Sequence, residues 1–120
     1  MNEFKIYQVK EEHFREYGYA SMRELLWTHH AETGDGSETY RLPREAWELV
    51  YTYETEKEPS LEWLFCLFNR GMEGCGIPPT PEHFEGHSMS VSDIIETPDG
   101  RLWFCDSSGW KEIKWTKEEP

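Results

Sequence analysis

The sequence has few cysteines, few basic residues and no long apolar run. Its three cysteines include no Cys-x-x-Cys pair, so no disulfide framework is expected and the cysteine usage fits a reducing compartment. A transmembrane helix needs about 18 consecutive apolar residues, and the sequence contains no such run. The first ten residues alternate like a strand and lack the basic and apolar character of a leader. We therefore predict a cytoplasmic protein that does not contact membranes.

Basic residues are scarce relative to acidic ones. The chain has 12 Lys and Arg residues against 24 Asp and Glu residues, a formal net charge of -12. A field of this sign repels nucleic acids and anionic membranes. We expect no direct binding of nucleic acid, and we expect a protein as the partner.

Large aromatic side chains are plentiful. Phe, Trp and Tyr make up 15% of the 120 residues, which supplies a core although the chain is polar on average. The length corresponds to one domain. We predict a single domain over residues 1–120.

The pattern of apolar and turn residues predicts an α+β domain with a mostly antiparallel sheet and two or three helices packed on one side. For residues 44–50 a helix is the alternative to the strand predicted at 47–54. The expected elements are a strand at 4–9, a helical turn at 11–17, a helix after the capping box Ser21–Glu24, a strand at 47–54, a helix at 61–70 capped by Ser60, a long irregular loop at 71–86, and three strands between 89 and 115. A hairpin turn at 97–100 and a second turn at 107–109 connect these three strands.

Three patterns contain residue types that occur in chemical sites, and none predicts a cofactor, a metal or catalysis. Zinc would need four soft ligands, yet the Cys-x8-Cys spacing is unusual and one cysteine lies on an apolar helix. A nucleophile would need a base held by a carboxylate, and no nucleophile elbow is present. A glycine-rich segment at 71–76 has neither a preceding strand nor a lysine. The residues concerned are Cys66, Cys75, His83 and His87 for zinc, and Cys105 or Ser107 with His87 and Asp106 or Asp93 for catalysis.

Four glutamates concentrate negative charge where a strand gives way to a helix. Glu54, Glu56, Glu58 and Glu62 lie within nine residues, and Lys57 is the one base among them. In an extended chain the first three would point the same way, about 7 Å apart, which is close to the phosphate repeat of one DNA strand. These four residues are the candidate partner-binding site. The alternative is a solvated acidic loop that keeps the protein soluble.

Residues 86–113 carry a recognisable motif. The segments GHSMSVSDIIE at 86–96, LWFCDS at 102–107 and GWKEI at 109–113 resemble the YodL-like domain, whose pattern is roughly HSLSVSDVV, YYCDS and GFxxV. Residues 4–9 and 68–70 match less closely, and residues 29–60 depart most. The resemblance implies a domain found, alone or within larger proteins, on conjugative elements and phages of bacteria, and it supplies no catalytic residues.

The motif itself has the residue types of a scaffold. Ser90 and Ser92 are suited to bonding the local backbone, and Asp93 is suited to capping the turn before Ile94.

The acidic charge and the resemblance together lead to two functional hypotheses. The first is a non-enzymatic inhibitor of a host defence nuclease, of the anti-CRISPR or anti-restriction type, whose acidic surface competes for a channel that normally holds DNA or RNA. The second is a protein-interaction or regulatory module of the mobile element that makes its contacts through aromatic side chains, without nucleic-acid mimicry.

Overall fold

A computed structural model describes residues 1–28, 32–33, 40–69 and 77–116. Single 3-10 turns lie at Glu11–His13 and Arg44–Ala46. The strands and helices of these ranges are β1 (Asn2–Val9), α1 (Phe14–Tyr17), α2 (Met22–Thr28), β2 (Glu32–Thr33), β3 (Tyr40–Leu42), β4 (Trp47–Thr55), α3 (Leu61–Leu67), β5 (Ile94–Glu96), β6 (Leu102–Asp106) and β7 (Gly109–Trp115).

In the described ranges the strands form one seven-stranded sheet in the order β2-β3-β7-β6-β5-β1-β4. Neighbouring strands are antiparallel except β3 and β7, which are parallel. The α+β class and the mostly antiparallel sheet are thus confirmed. The strand predicted at 47–54 is confirmed as β4. The alternative, a helix at 44–50, is not formed, because one 3-10 turn at Arg44–Ala46 is followed directly by that strand.

The helices lie on both faces of the sheet, and the expectation of a single helical side was wrong. Because side chains alternate along a strand, β1 sends Tyr7 towards a cluster that contains Met22 of α2. It sends Ile6 towards a second cluster that contains Leu64 of α3. Strand β1, which lies between β5 and β4, is therefore buried on both faces.

Helix starts follow the predicted caps. The Ser60 hydroxyl accepts a hydrogen bond from the Trp63 amide at 3.1 Å, and the Ser21 hydroxyl accepts one from the Glu24 amide at 3.3 Å. Helix α3 ends at Leu67, three residues before the predicted end, which lies outside the described residues.

The C-terminal strands form the two predicted hairpins. Gly100 has a φ of +87° and Gly109 a φ of +129°, conformations that favour glycine. Gly100 lies in the turn before β6, and Gly109 is the first residue of β7, directly after the turn at 107–108. The first C-terminal strand is shorter than predicted, because β5 begins at Ile94 and the residues before it form a turn.

The predicted irregular loop lies partly outside the described residues. Its described part, residues 77–86, contains neither helix nor strand, and Phe84 anchors it in the α3 cluster. None of the helices in the described ranges has the length and apolar character needed to cross a membrane.

Candidate functional site

A buried polar junction connects β1 to the motif segment before β5, and its residues are Gln8, His87 and Asp93. Gln8 lies on β1 and is 2% exposed. Its Nε2 donates to the His87 carbonyl at 2.8 Å and to Asp93 Oδ2 at 3.0 Å, and its Oε1 accepts from the His87 amide at 3.1 Å. A Cβ at Gly86 would lie 2.4 Å from Gln8 Oε1, so glycine is needed there. One side chain thus fixes the motif loop to the sheet.

Asp93 is the carboxylate of the junction and is almost fully buried. Its Oδ2 accepts from the Ser90 amide at 2.9 Å, which confirms the predicted turn cap. Burial raises its pKa to about 8, although the hydrogen bonds from Ser90 and Gln8 act in the opposite direction. Its Oδ1 has no hydrogen-bond partner within the described part of the chain and lies 3.9 Å from His87 Nε2.

The His87 ring is hydrogen-bonded through one nitrogen and faces a carboxyl group with the other. Its Nδ1 lies 2.7 Å from the Ser88 carbonyl oxygen and donates to it, and its Nε2 faces Asp93. The rings of Phe14 and Tyr19 lie at 6.4 Å and 5.8 Å from the imidazole. These contacts position the imidazole within the fold, and none of them is to a nucleophilic side chain.

A second connection joins the motif to the face of the sheet that α1 and α2 cover. Ser92 has a φ of +85° and Tyr19 a φ of +59°, and both conformations are unfavourable for side chains other than glycine. The Tyr19 amide donates to the Ser92 hydroxyl at 3.0 Å, and Trp47 Nε1 donates to the Ser92 carbonyl at 2.8 Å. The Ser92 hydroxyl therefore bonds a distant segment, not the local backbone that the sequence suggested.

Asp106, considered above as the orienting carboxylate of a triad, has a structural role. Its Oδ1 accepts from the amides of Met22 at 3.0 Å and Ser107 at 2.9 Å. It thereby caps the start of α2 and holds the turn after β6. Sequence reasoning missed this role because the pairing of residue 106 with residue 22 depends on the tertiary fold.

The proposed nucleophiles are not activated. Cys105 is buried, and its pKa is raised to about 12 mainly by that burial, with Asp93, Glu62 and Asp106 adding to the shift. A thiol with this pKa carries negligible thiolate at neutral pH. Ser107 is an exposed turn residue.

The metal-ligand candidates do not assemble in the part of the chain that the structure covers. No three His, Cys, Asp or Glu side chains there are placed to hold a metal ion. Cys66 is partly buried on α3, and His83 is exposed in the loop. Cys75 and the glycine-rich segment 71–76 lie outside the described residues.

Three of the four candidate glutamates lie where β4 ends. Glu54 is the last glutamate of β4, Glu56 lies in the following bend, and Glu58 precedes α3; all are exposed. Because the strand ends at Thr55, the alternation expected of an extended row applies to Glu54 alone. Glu62 lies apart from them on α3, where it accepts from Trp110 Nε1 at 3.2 Å.

The fold adds a glutamate that the sequence analysis missed. Glu3 of β1 pairs directly with Glu54 of β4, and only the strand register reveals this. We call Glu3, Glu54, Glu56 and Glu58 the acidic corner. Lys5 contacts Glu3 at 3.9 Å and offsets part of its charge.

The family of the chain follows from its sequence over nearly its whole length. The family model described as YodL-like domain matches residues 3–115, so the match also covers residues 29–60, where the sequence departs most from the motif pattern. The comparison with curated proteins returned no match, and neither did the comparison with solved structures. The motif residues are those that build the buried polar junction and cap α2. The chain belongs to the YodL-like domain family.

Proposed function

We propose that this chain is a non-enzymatic, acidic binding protein of a mobile element that inhibits a host defence nuclease of the CRISPR or restriction type. Its acidic corner would occupy the positively charged channel that normally holds DNA or RNA, in the cytoplasm where these nucleases act. The expected occurrence of YodL-like domains on conjugative elements and phages supports this setting.

The pairing of Glu3 with Glu54 is the observation that carries the proposal. Like charges directly opposite each other on neighbouring strands destabilise a sheet, and Glu56 and Glu58 continue the same charge beyond the strand end. A basic partner surface would remove this repulsion on binding. Such a contact also accelerates association through electrostatic steering.

An aromatic interface is the second hypothesis, and it has less support. Most of the described aromatic side chains pack in the two clusters or lie against them. Tyr19, at 54% exposure, is the single aromatic among the exposed large apolar residues of the described ranges. One such side chain is a small basis for an aromatic contact surface.

The test measures binding to a panel of purified CRISPR and restriction nucleases at 0.1 M and 0.5 M salt. The variant Glu54→Gln, Glu56→Gln, Glu58→Gln removes three charges from the acidic corner, and Glu12→Gln, Glu45→Gln, Glu82→Gln removes three exposed charges elsewhere. We expect the corner variant to bind a nuclease at least tenfold more weakly at 0.1 M salt. The control variant should change the affinity less than threefold.

Two results would contradict the proposal. One is equal nuclease affinity of the two variants, which would mean that net charge, and not its position in the acidic corner, determines binding. The other is binding that persists unchanged at 0.5 M salt, where the screening length is about 4 Å. Nuclease inhibition assays with the same proteins connect binding to function, and binding without inhibition would favour the interaction module.

A further inference from the structure

A groove lies beside an irregularity in β4. Ile6 of β1 pairs with Tyr51, but Tyr7 pairs with Leu49, so Val50 is an extra residue in β4, as in a β-bulge. The groove there has a volume of about 730 Å³ and is open to solvent. It lies between β4, the turn after β1 and the motif loop.

The lining of the groove combines negative charge with apolar surface. Glu11, Glu48 and Glu85 line it together with His87, and no Lys or Arg belongs to the lining. The apolar part includes Leu49, which is 46% exposed. A lysine or arginine side chain matches this combination, because its stem is apolar and its end is cationic.

The neighbouring backbone is also open. Strand β4 ends the sheet, and its outer edge pairs with no strand in the described ranges. Along such an edge, alternate residues present unpaired N–H and C=O groups. Residues 51–55 continue β4 regularly beyond the bulge, which is long enough to pair with an extended peptide.

We propose that an extended, basic segment of a partner protein adds to the outer edge of β4 as a further strand and places a lysine or arginine side chain in the groove. Main-chain hydrogen bonds would supply affinity and the groove would supply selectivity, as in other cases of strand addition. A second copy of this chain fits poorly, since β4 would bring Glu48 and Glu54 of each copy against an equally acidic strand. The inference goes beyond the proposed function, because its groove lies at the start of β4, on the other side of the bulge from Glu54, and because it requires no nuclease.

The test uses a nine-residue peptide of alternating arginine and valine, titrated into the ¹⁵N-labelled protein and followed by NMR. We expect the largest shift changes at amides of β4 and the groove. A peptide with glutamate in place of arginine controls for charge. A peptide with alternate amides N-methylated controls for strand pairing, because it keeps its charge and loses main-chain donors; we expect at least tenfold weaker binding for each.

Matched protein variants locate the contact. The groove variant Glu11→Gln, Glu48→Gln, Glu85→Gln should weaken binding of the basic peptide at least fivefold. A second corner variant, Glu3→Gln, Glu56→Gln, Glu58→Gln, removes the same charge outside the pairing residues 51–55 and should weaken it less than twofold. For nuclease binding we expect the charges of the acidic corner to matter most, whereas for the peptide we expect the charges of the groove to matter most. Either proposal can therefore fail while the other holds.

Three outcomes would overturn the inference. The first is the absence of shift changes along β4 at millimolar peptide, which would mean that the bulge and the exposed glutamates protect the edge against pairing. The second is equal binding of the N-methylated peptide, which would exclude strand addition. The third is an equal loss of peptide affinity in the two protein variants, which would mean that net charge, and not the groove, determines binding.

Discussion

The buried polar junction and the acidic corner use the same chemical group in opposite surroundings. In the junction, Asp93 is 1% exposed and its pKa is raised to about 8, because burial penalises its charged form more than its hydrogen bonds favour it. In the corner, Glu54 and its neighbours are exposed, and water solvates their charges. The comparison teaches that position in the fold, more than residue type, decides whether a carboxylate serves the structure or is available to a partner.

The largest effect should come from changing the ionisation of Asp93. Below pH 3.8, the ordinary pKa of an aspartate, the Asp93 carboxyl is protonated in both the folded and the unfolded chain. Between about pH 4 and pH 8 the unfolded chain has released this proton, whereas the folded chain keeps it. The stability that depends on this group is therefore complete below pH 4 and is lost as pH rises through 8. A pKa raised this far corresponds to several kcal/mol of stability.

Asp93→Asn removes this titration and should flatten the pH dependence of the free energy of unfolding between pH 4 and 8. Chemical denaturation at each pH measures it. Asp99→Asn, at a carboxyl of the exposed hairpin turn, is the control and should leave the natural slope largely in place across that window. If the free energy of unfolding varied with pH in the same way for Asp93→Asn and the natural protein, Asp93 would have an ordinary pKa. Burial in the junction would then not penalise its charged form.

The next effect concerns the hydrogen bonds of the junction. Gln8→Leu keeps the size of the side chain but removes its bonds to the His87 backbone and to Asp93. Buried polar groups left without partners should lower the free energy of unfolding by about 2–4 kcal/mol, measured by urea denaturation at pH 7. Glu48→Gln alters the residue paired with Gln8 on β4 and should change stability by less than about 0.5 kcal/mol. Equal changes in the free energy of unfolding for the two variants would mean that the buried hydrogen bonds of Gln8 stabilise the fold no more than an exposed side chain does.

The smallest effect lies in the acidic corner. Glu54→Gln removes one of two opposed charges, so it should raise the free energy of unfolding by about 0.2–0.5 kcal/mol at low salt, and the gain should disappear at 0.5 M salt. A double-mutant cycle with Glu3→Gln measures the repulsion between the pair. A destabilising effect of Glu54→Gln would mean that Glu54 makes a favourable contact in the folded protein.

The elements of the fold were largely readable from local patterns. Ser60 caps α3 and Gly100 forms the hairpin turn as predicted, because caps and turns depend on residues close in sequence. The placement of helices on both faces was not readable. Tyr7 and Ile6 are adjacent and both apolar, and an apolar run in a strand does not say which element covers each face.

The candidate site was readable to a smaller extent. The cap made by Asp93 on Ser90 spans three residues, and the sequence predicted it. The bond from Gln8 to Asp93 spans 85 residues, and no local pattern contains it. Glu3 likewise entered the acidic corner only through the register of β1 and β4.

The sequence by itself determined the family, the α+β class, the caps, the hairpins and the excess of negative charge, since each depends on composition or on neighbours within a few residues. Tertiary structure alone decided which carboxylates are buried, that Glu3 faces Glu54, and that Glu11, Glu48 and Glu85 share one groove. The physical reason is that these relations depend on strand register and on packing between segments far apart in the chain, and local preferences do not encode either.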